Sequence, residues 1–188
     1  MTRKKLKMLA VILVFFLIGA EILAVMANNF FFEKVSATEV KKRSMPAITS
    51  NSVKHAYASS LVYSGLRKLY FSKDSAKNIT IFLGKLNEIA EVIFKPNQDS
   101  SLEMMKDLTN NVLGICAANW IEENSGNPLS LSRLEFIGFL AESKILILLH
   151  EDLPLISDEE KAAAKKSFEY SLAKKWFNEN EEKIICDF

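Results

Sequence analysis

Residues 8–27 constrain what this chain can become more than any other stretch of it. Thirteen apolar or small residues run without interruption from Met8 to Ala20, directly after a head that carries four basic residues. A helix of this composition is too apolar for exposure to water, and a basic head before an apolar run is typical of an export signal. We therefore expect this segment to insert into a lipid bilayer during synthesis.

The same segment is long enough to stay in the membrane as an anchor. The twenty residues from Met8 to Ala27 would span about 30 Å as a helix, at ~1.5 Å per residue. Glu21 would cost about 2.5–3.5 kcal/mol near the centre, whereas each Leu, Ile, Phe or Val, including Phe15 and Phe16, returns roughly 0.3–0.6 kcal/mol. Twelve such residues outweigh one carboxylate, so we favour an uncleaved anchor with membrane lipid as its partner.

Signal cleavage is the alternative that the sequence leaves open. Val25-Met26-Ala27 supplies small residues at which an export signal could be cut, which would release a secreted or periplasmic protein that begins at Asn28. Four basic residues lie near each end of the segment, so the positive-inside rule discriminates little. Since the N-terminal four lie closer to the apolar run, we expect the bulk of the chain outside the cytoplasm.

The charge balance excludes one class of function. Residues 1–27 contain four basic residues and one acidic residue, so the other 161 residues hold 20 basic and 22 acidic side chains. A domain with this slight acidic excess lacks the concentrated basic surface that a nucleic-acid backbone requires. We expect no nucleic-acid partner.

The remaining chain has the pattern of a helical bundle. After a juxtamembrane linker at residues 28–49, apolar residues recur at helical spacing throughout residues 50–188, without the alternation typical of strands. We therefore predict an all-α bundle of about five helices, preceded by a signal or anchor helix within residues 1–27.

The first two helices of the bundle have recognisable core faces. In the first, small side chains recur every four residues and would let another backbone approach; this ridge consists of Ser52, Ala56, Ser60 and Ser64. The bulkier core candidates of that helix are Val53, Tyr57, Leu61, Leu66, Leu69 and Tyr70. In the second helix we expect one apolar face to be buried; it consists of Ile79, Phe82, Leu83, Leu86, Ile89, Ala90 and Ile93.

Capping and helix-breaking residues mark the later helices. The third is expected to begin near Ser100 or Ser101 and to stop within residues 123–128, and its core stripe is Leu102, Met105, Leu108, Val112, Ile115 and Cys116. The fourth should open with a capping box at Ser132 and Glu135. It should end in residues 145–149, ILILL, which are apolar on every side and so belong at the bundle centre, with a strand as the alternative.

The fifth helix is predicted to open with a second capping box, Ser157 with Glu160. Its apolar stripe recurs every four residues among many charges, which is typical of a surface helix that docks one side on the core. That stripe consists of Ala164, Phe168, Leu172 and Trp176.

Catalytic signatures are sparse. The sequence contains no GxSxG, GxxxxGK[ST], GxGxxG, HExxH or CxxC motif. The weak candidates for acid/base or metal chemistry are His55 and the cluster of His150, Glu151 and Asp152, although a polar turn that ends a helix explains the cluster more simply. The carboxylates that a hydrolase would pair come from Glu88, Glu91, Glu103, Glu122, Glu123, Glu135 and Glu142. We predict no cofactor and no metal.

Two cysteines, Cys116 and Cys186, are present. In an oxidising compartment they could pair and close a loop of about 70 residues, which the chain-entropy model values at roughly 4 kcal/mol. The alternative is two unrelated small apolar side chains, because Cys116 lies on the predicted core stripe of the third helix.

These observations favour a non-catalytic, membrane-tethered helical domain that binds another protein outside the cytoplasm. The anchor, the apolar Phe30, Phe31 and Phe32 that follow it, and the lack of catalytic motifs motivate this hypothesis. The alternatives are an exported hydrolase that uses carboxylates and a carrier for an apolar ligand in the bundle interior. The binding hypothesis predicts an exposed apolar patch on the domain.

Overall fold

The computed structural model describes residues 49–94, 100–126, 139, 146–147 and 152–184. Within these residues the chain forms five α-helices and no strand, so the all-α prediction is confirmed for this part. The helices are α1 (Thr49–Lys68), α2 (Lys73–Phe94), α3 (Ser101–Ser125), α4 (Asp158–Lys166) and α5 (Tyr170–Asn180), and a short 3₁₀ helix follows at Glu181–Lys183. The apolar segment at residues 8–27 and residues 28–48 of the linker lie outside the described residues, and Thr49, the last residue of the predicted linker, begins α1.

Helix α3 is the centre of the bundle and contacts each of the other four helices. It begins after Ser100, whose side chain accepts the Glu103 N–H, and ends at Gly126 in the left-handed conformation (φ 67°). Both boundaries agree with the prediction. Five of the six residues of the predicted core stripe are buried, namely Leu102, Met105, Leu108, Val112 and Ile115. The sixth, Cys116, is partly buried against the same core.

Helix α1 packs along α3 through the predicted ridge of small side chains. Its four members are buried, and a Cβ added to Gly114 of α3 would lie only 2.0 Å from the carbonyl oxygen of Ala56. The close approach that the ridge predicted is therefore confirmed. The prediction that Leu69 and Tyr70 fill the core was wrong, because α1 ends at Lys68 and the chain turns away from the bundle there.

Helix α2 turns the opposite side from the predicted one toward the bundle. Its buried residues are Ala76, Thr80, Ile81 and Glu88, whereas the predicted core residues Phe82, Leu86 and Ile93 are 57%, 37% and 66% exposed. The physical reason lies in the neighbouring helices, which present polar and small side chains to α2. Their buried polar residues include His55, Ser59, Lys106, Asp107 and Asn111.

The C-terminal helices hold α2 in this orientation. The Lys85 ammonium donates to the Asn178 side chain at 2.9 Å, lies 3.6 Å from a Glu181 carboxylate oxygen and sits 4.9 Å above the Phe177 ring. A charged head held over an aromatic face and beside a carboxylate is favourable. These contacts place Lys85 toward α5, and the exposed apolar residues of α2 point elsewhere.

The predicted fifth helix is two helices. Its capping box is confirmed, because Ser157 accepts the Glu160 N–H and Glu160 accepts the Ser157 N–H. The helix breaks at residues 167–169, where the start of α3 satisfies the backbone: the Ser101 N–H donates to the Ser167 carbonyl at 2.8 Å and the Glu169 N–H donates to Ser101 Oγ at 3.1 Å. Because of this break, Phe168 and Leu172 of the predicted stripe are exposed, whereas Ala164 and Trp176 are buried.

The apolar stretch at residues 145–149 is described only at Leu146 and Ile147. Leu146 is buried in the core beside α1 and α3, which agrees with a central position. At these two residues the chain is neither helix nor strand, so the helical prediction was wrong there. The capping box predicted at Ser132 and Glu135 lies outside the described residues.

Candidate functional site

Three helices bring one ionisable side chain each into a common buried cluster. His55 comes from α1, Glu88 from α2 and Asp107 from α3, and they are 4%, 1% and 3% exposed. The His55 Nε2 atom lies 3.3 Å from Asp107 Oδ2, and the His55 Nδ1 atom lies 3.8 Å from Glu88 Oε1. We call these three residues the buried cluster.

The buried cluster holds polar atoms that the surrounding protein does not satisfy. Within the described part of the chain, the buried side-chain atoms without a hydrogen-bond partner are His55 Nε2 and Glu88 Oε1 of the buried cluster and, outside it, Nδ2 of Asn111 on α3. The His55–Asp107 contact is thus close enough for an ion pair but is not aligned as a hydrogen bond. Leaving such an atom buried and unpaired costs about 1–3 kcal/mol, so a concentration of them in one place needs an explanation.

Asp107 is the best supported member of the buried cluster. The Asn51 amide donates to both of its carboxylate oxygens, at 3.0 and 3.1 Å. The Lys106 ammonium lies 3.9 Å from Asp107 Oδ1 but makes its close contact with Glu103. Hydrogen bonds from Asn51 therefore hold the Asp107 carboxylate in place.

Burial moves the protonation of all three groups toward their neutral forms. It lowers the pKa of the His55 imidazole well below its usual range, and the nearby Lys54 and Lys106 charges lower it further. It raises the pKa of the Glu88 carboxyl well above its usual range, and the Asp107 and Glu91 charges add to that rise. Desolvation likewise raises the pKa of Asp107 to about 8, against the attraction of Lys106.

The donor set is one that metal ions use. A ring nitrogen of His55, an oxygen of Glu88 and an oxygen of Asp107 lie within 4.8 Å of one another. Imidazole and carboxylate together are the ligands of many Zn²⁺, Mn²⁺ and Fe²⁺ sites. Acid/base chemistry on a bulky substrate is a poorer fit, because a group so deeply buried has no contact with a molecule in solvent.

Sequence reasoning named two members of the buried cluster and missed the third. His55 was a weak catalytic candidate and Glu88 one of several carboxylates, while Asp107 was not named. A signal was available, because Lys106 and Asp107 interrupt a helix that is apolar on more than one side, so some of its polar residues must be buried. Of the other candidate cluster, Asp152 is exposed, and His150 and Glu151 lie outside the described residues.

The structure describes one of the two cysteines. Cys116 is part of a disulfide bond, so it is not the isolated apolar side chain of the alternative interpretation. Cys186 lies outside the described residues, and its pairing with Cys116 stays a prediction.

Comparison with known protein families, with curated proteins and with solved structures gave no match. Of the helices in the described ranges, none combines the length and the apolarity needed to cross a bilayer.

Proposed function

We propose that this protein is a non-catalytic interaction domain, tethered to the membrane through residues 8–27 and located outside the cytoplasm, that binds a helix of another protein. The observation that carries the proposal is the outward apolar side of α2. We call this surface the outer face of α2; it consists of Ile79, Phe82, Leu86, Ile89 and Ile93.

The spacing of the outer face favours a helix as its partner. Its five residues follow one another at intervals of three, four, three and four, which is the a/d pattern of a helix that packs against another helix. Phe82, Leu86 and Ile93 are exposed, whereas Ile79 and Ile89 are partly buried. A partner helix with apolar residues at the same spacing would cover them and remove them from water.

Two features count against the alternative functions. The ionisable groups that converge, His55 and Glu88, are closed to solvent, which does not suit a hydrolase that acts on an external substrate. The interior beside them is polar, with Lys106, Asn110 and Asn111 also buried, and such walls do not suit an apolar ligand.

Photo-crosslinking in membranes of the native host tests the binding surface. A photoreactive residue is placed at Phe82 or Ile93 of the full-length chain, with exposed Lys175 on α5 as the matched control position. We expect one discrete protein adduct from positions 82 and 93, none from 175, and loss of that adduct in the Leu86→Glu variant. The crosslinked peptide of the partner should have apolar residues at three- and four-residue spacing.

Other crosslinking products would contradict the proposal. Adducts confined to lipid would mean that the outer face lies against the membrane. Adducts to residues 1–48 of the same chain, or to a second copy, would mean that it serves this protein's own assembly.

The location is tested separately by fractionation of the host and mass measurement of the N-terminus. The proposal expects intact chain in the membrane fraction, with the domain digested by protease added outside the cytoplasmic membrane. A mature chain that begins at Asn28 would support the secreted alternative. Full-length chain freely dissolved in the cytosol would contradict both.

A further inference from the structure

Docking of a partner helix does not explain the buried cluster. The cluster lies inside the bundle, and Glu88, its member on α2, lies on the side of that helix opposite to the outer face. A stable core does not require buried ionisable groups, because apolar side chains of similar size fill the same space without the cost of burying charge. In the described residues, Glu88 Oε1 and His55 Nε2 are buried and unpaired. Both atoms can donate a lone pair, so a metal ion bound between them would satisfy them.

We propose that His55, Glu88 and Asp107 bind a divalent transition-metal ion between α1, α2 and α3, with Zn²⁺ as the probe. A divalent cation accepts the lone pair of His55 Nε2 and a lone pair from each carboxylate. Binding displaces to solvent any proton that Glu88 or Asp107 carries, and the two negative charges of the ionised carboxylates then match the two positive charges of the ion, so that the ion and its ligands together are neutral. Neutrality matters because a net charge in so dry an interior is costly.

The geometry is close to that of a bound state. Ligand atoms at ~2.0–2.2 Å from Zn²⁺ lie roughly 3.4 Å apart in a tetrahedral site. The separation of 3.3 Å between His55 Nε2 and Asp107 Oδ2 already meets this spacing. An oxygen of Glu88 lies within 4.8 Å of a His55 ring nitrogen and of an Asp107 oxygen. Because Glu88 Oε1 contacts Nδ1 of His55, at 3.8 Å, Glu88 must adopt another rotamer to join an ion bound at Nε2.

The surrounding groups suit this role. Asn51 donates to both oxygens of Asp107, and such supporting hydrogen bonds orient metal-binding carboxylates. Two lysines lie near the cluster: Lys106 makes its close contact with Glu103 and lies 3.9 Å from Asp107 Oδ1, and Lys54 lies 3.8 Å from Glu91. Glu88 therefore lacks a cation of its own among these neighbours.

The first test measures metal stoichiometry in the full-length chain. The protein is unfolded in urea with chelator, its disulfide left oxidised, and is refolded with Zn²⁺, because a closed site fills most readily as the fold forms. After dialysis we expect one Zn²⁺ per chain by elemental analysis and a Tm that rises with Zn²⁺. Excess Mg²⁺ should not displace the zinc, since imidazole favours transition metals.

Matched variants assign the ligands. His55→Gln, Glu88→Gln and Asp107→Asn preserve side-chain size, and each should weaken Zn²⁺ binding about 100-fold or more while the chain stays helical by circular dichroism. His150→Gln and Glu91→Gln are controls, one for the other histidine and one for a neighbouring carboxylate of α2, and both should bind like the wild type.

X-ray absorption at the zinc edge of the wild type decides the matter even if the variants fail to fold. It should show nitrogen and oxygen ligands at ~2.0–2.2 Å and no sulfur at ~2.3 Å. Failure to retain zinc, a sulfur ligand, displacement by Mg²⁺ or loss of binding in the His150→Gln control would each overturn the proposal. These outcomes leave the proposed docking function untouched, because the outer face of α2 includes no member of the buried cluster.

Discussion

Gly114 of α3 lies directly against the backbone of Ala56 in α1, where an added Cβ would come within 2.0 Å of the Ala56 carbonyl oxygen and 2.6 Å of its Cα. No L side chain fits in that space without movement of a helix. The contact lies in the middle of both helices, so it sets the distance between them.

Replacing Gly114→Ala should therefore destabilise the domain by about 3 kcal/mol or more, since overpacking here pushes on backbone and not on a flexible side chain. The matched control is Gly65→Ala in α1, where no described atom lies within 4 Å of the added Cβ. That variant should be stabilised by about 0.5–1 kcal/mol through helix propensity. Urea unfolding of both variants measures the difference, and equal stabilities would contradict the close packing of α1 on α3.

Tyr70 lies two residues after the end of α1, in a backbone conformation that favours glycine. Its φ is 64°, its N–H donates to the Arg67 carbonyl, and the Phe71 N–H donates to the Leu66 carbonyl, which together make a Schellman motif with Tyr70 at its left-handed position. Since the Tyr70 side chain is 97% exposed, Tyr70→Gly removes strain and little packing. We expect a gain of about 0.5–1 kcal/mol. Tyr70→Ala, which keeps the Cβ, should show no such gain, and a gain of the same size there would disprove the explanation.

Asn110 fixes the chain at Ile147 to α3. Its Nδ2 donates to the Ile147 carbonyl and its Oδ1 accepts the Ile147 N–H, both at 2.9 Å. Asn110→Leu keeps the size but leaves that backbone N–H without its partner, so a loss of about 1–3 kcal/mol is expected in urea unfolding. The control is exposed Asn124, which makes one bond to the Trp120 carbonyl, and Asn124→Leu should change stability by less than about 0.5 kcal/mol. If both substitutions lower the free energy of unfolding by the same amount, the hydrogen bonds between Asn110 and Ile147 are not formed.

The disulfide of Cys116 is predicted to involve Cys186, because the chain contains two cysteines. Peptide mapping without reduction should recover one intrachain linked pair from monomeric protein. The Cys186→Ser variant should expose one reactive thiol per chain and lose up to about 4 kcal/mol of stability by the chain-entropy estimate. Recovery of a Cys116–Cys116 dimer from the wild type would show the prediction to be wrong.

The parts of the fold that could be predicted are those set by local spacing. The small ridge of α1, the core stripe of α3 and the cap at Ser157 depend on residues three or four apart, and the structure agrees with all three. The split between α4 and α5 could not be predicted in this way, because it depends on hydrogen bonds from Ser101, which is 66 residues away from Ser167 in sequence.

The orientation of α2 and the assembly of the candidate site could not be predicted either, because they also depend on residues that are far apart in sequence. An apolar stripe predicts burial only if the neighbours offer an apolar surface, and α1 and α3 instead offer His55, Asp107 and Asn111 to this helix. Whether His55 and Glu88 converge depends on how α2 is rotated, and no spacing within one helix specifies that rotation. The sequence could name candidates for the cluster but could not assemble them.

Both proposals require that α2 buries Glu88 and exposes its apolar side, and two adjacent residues test this directly. Ile81 is buried and Phe82 is 57% exposed, so Ile81→Cys and Phe82→Cys are compared for maleimide labelling in the folded full-length chain, with the native disulfide intact. We predict that Phe82→Cys reacts at nearly the rate of the unfolded chain and that Ile81→Cys reacts at least about tenfold more slowly. Faster labelling of Ile81→Cys would mean that α2 packs with its apolar side inward, and it would contradict the docking surface and the metal site together.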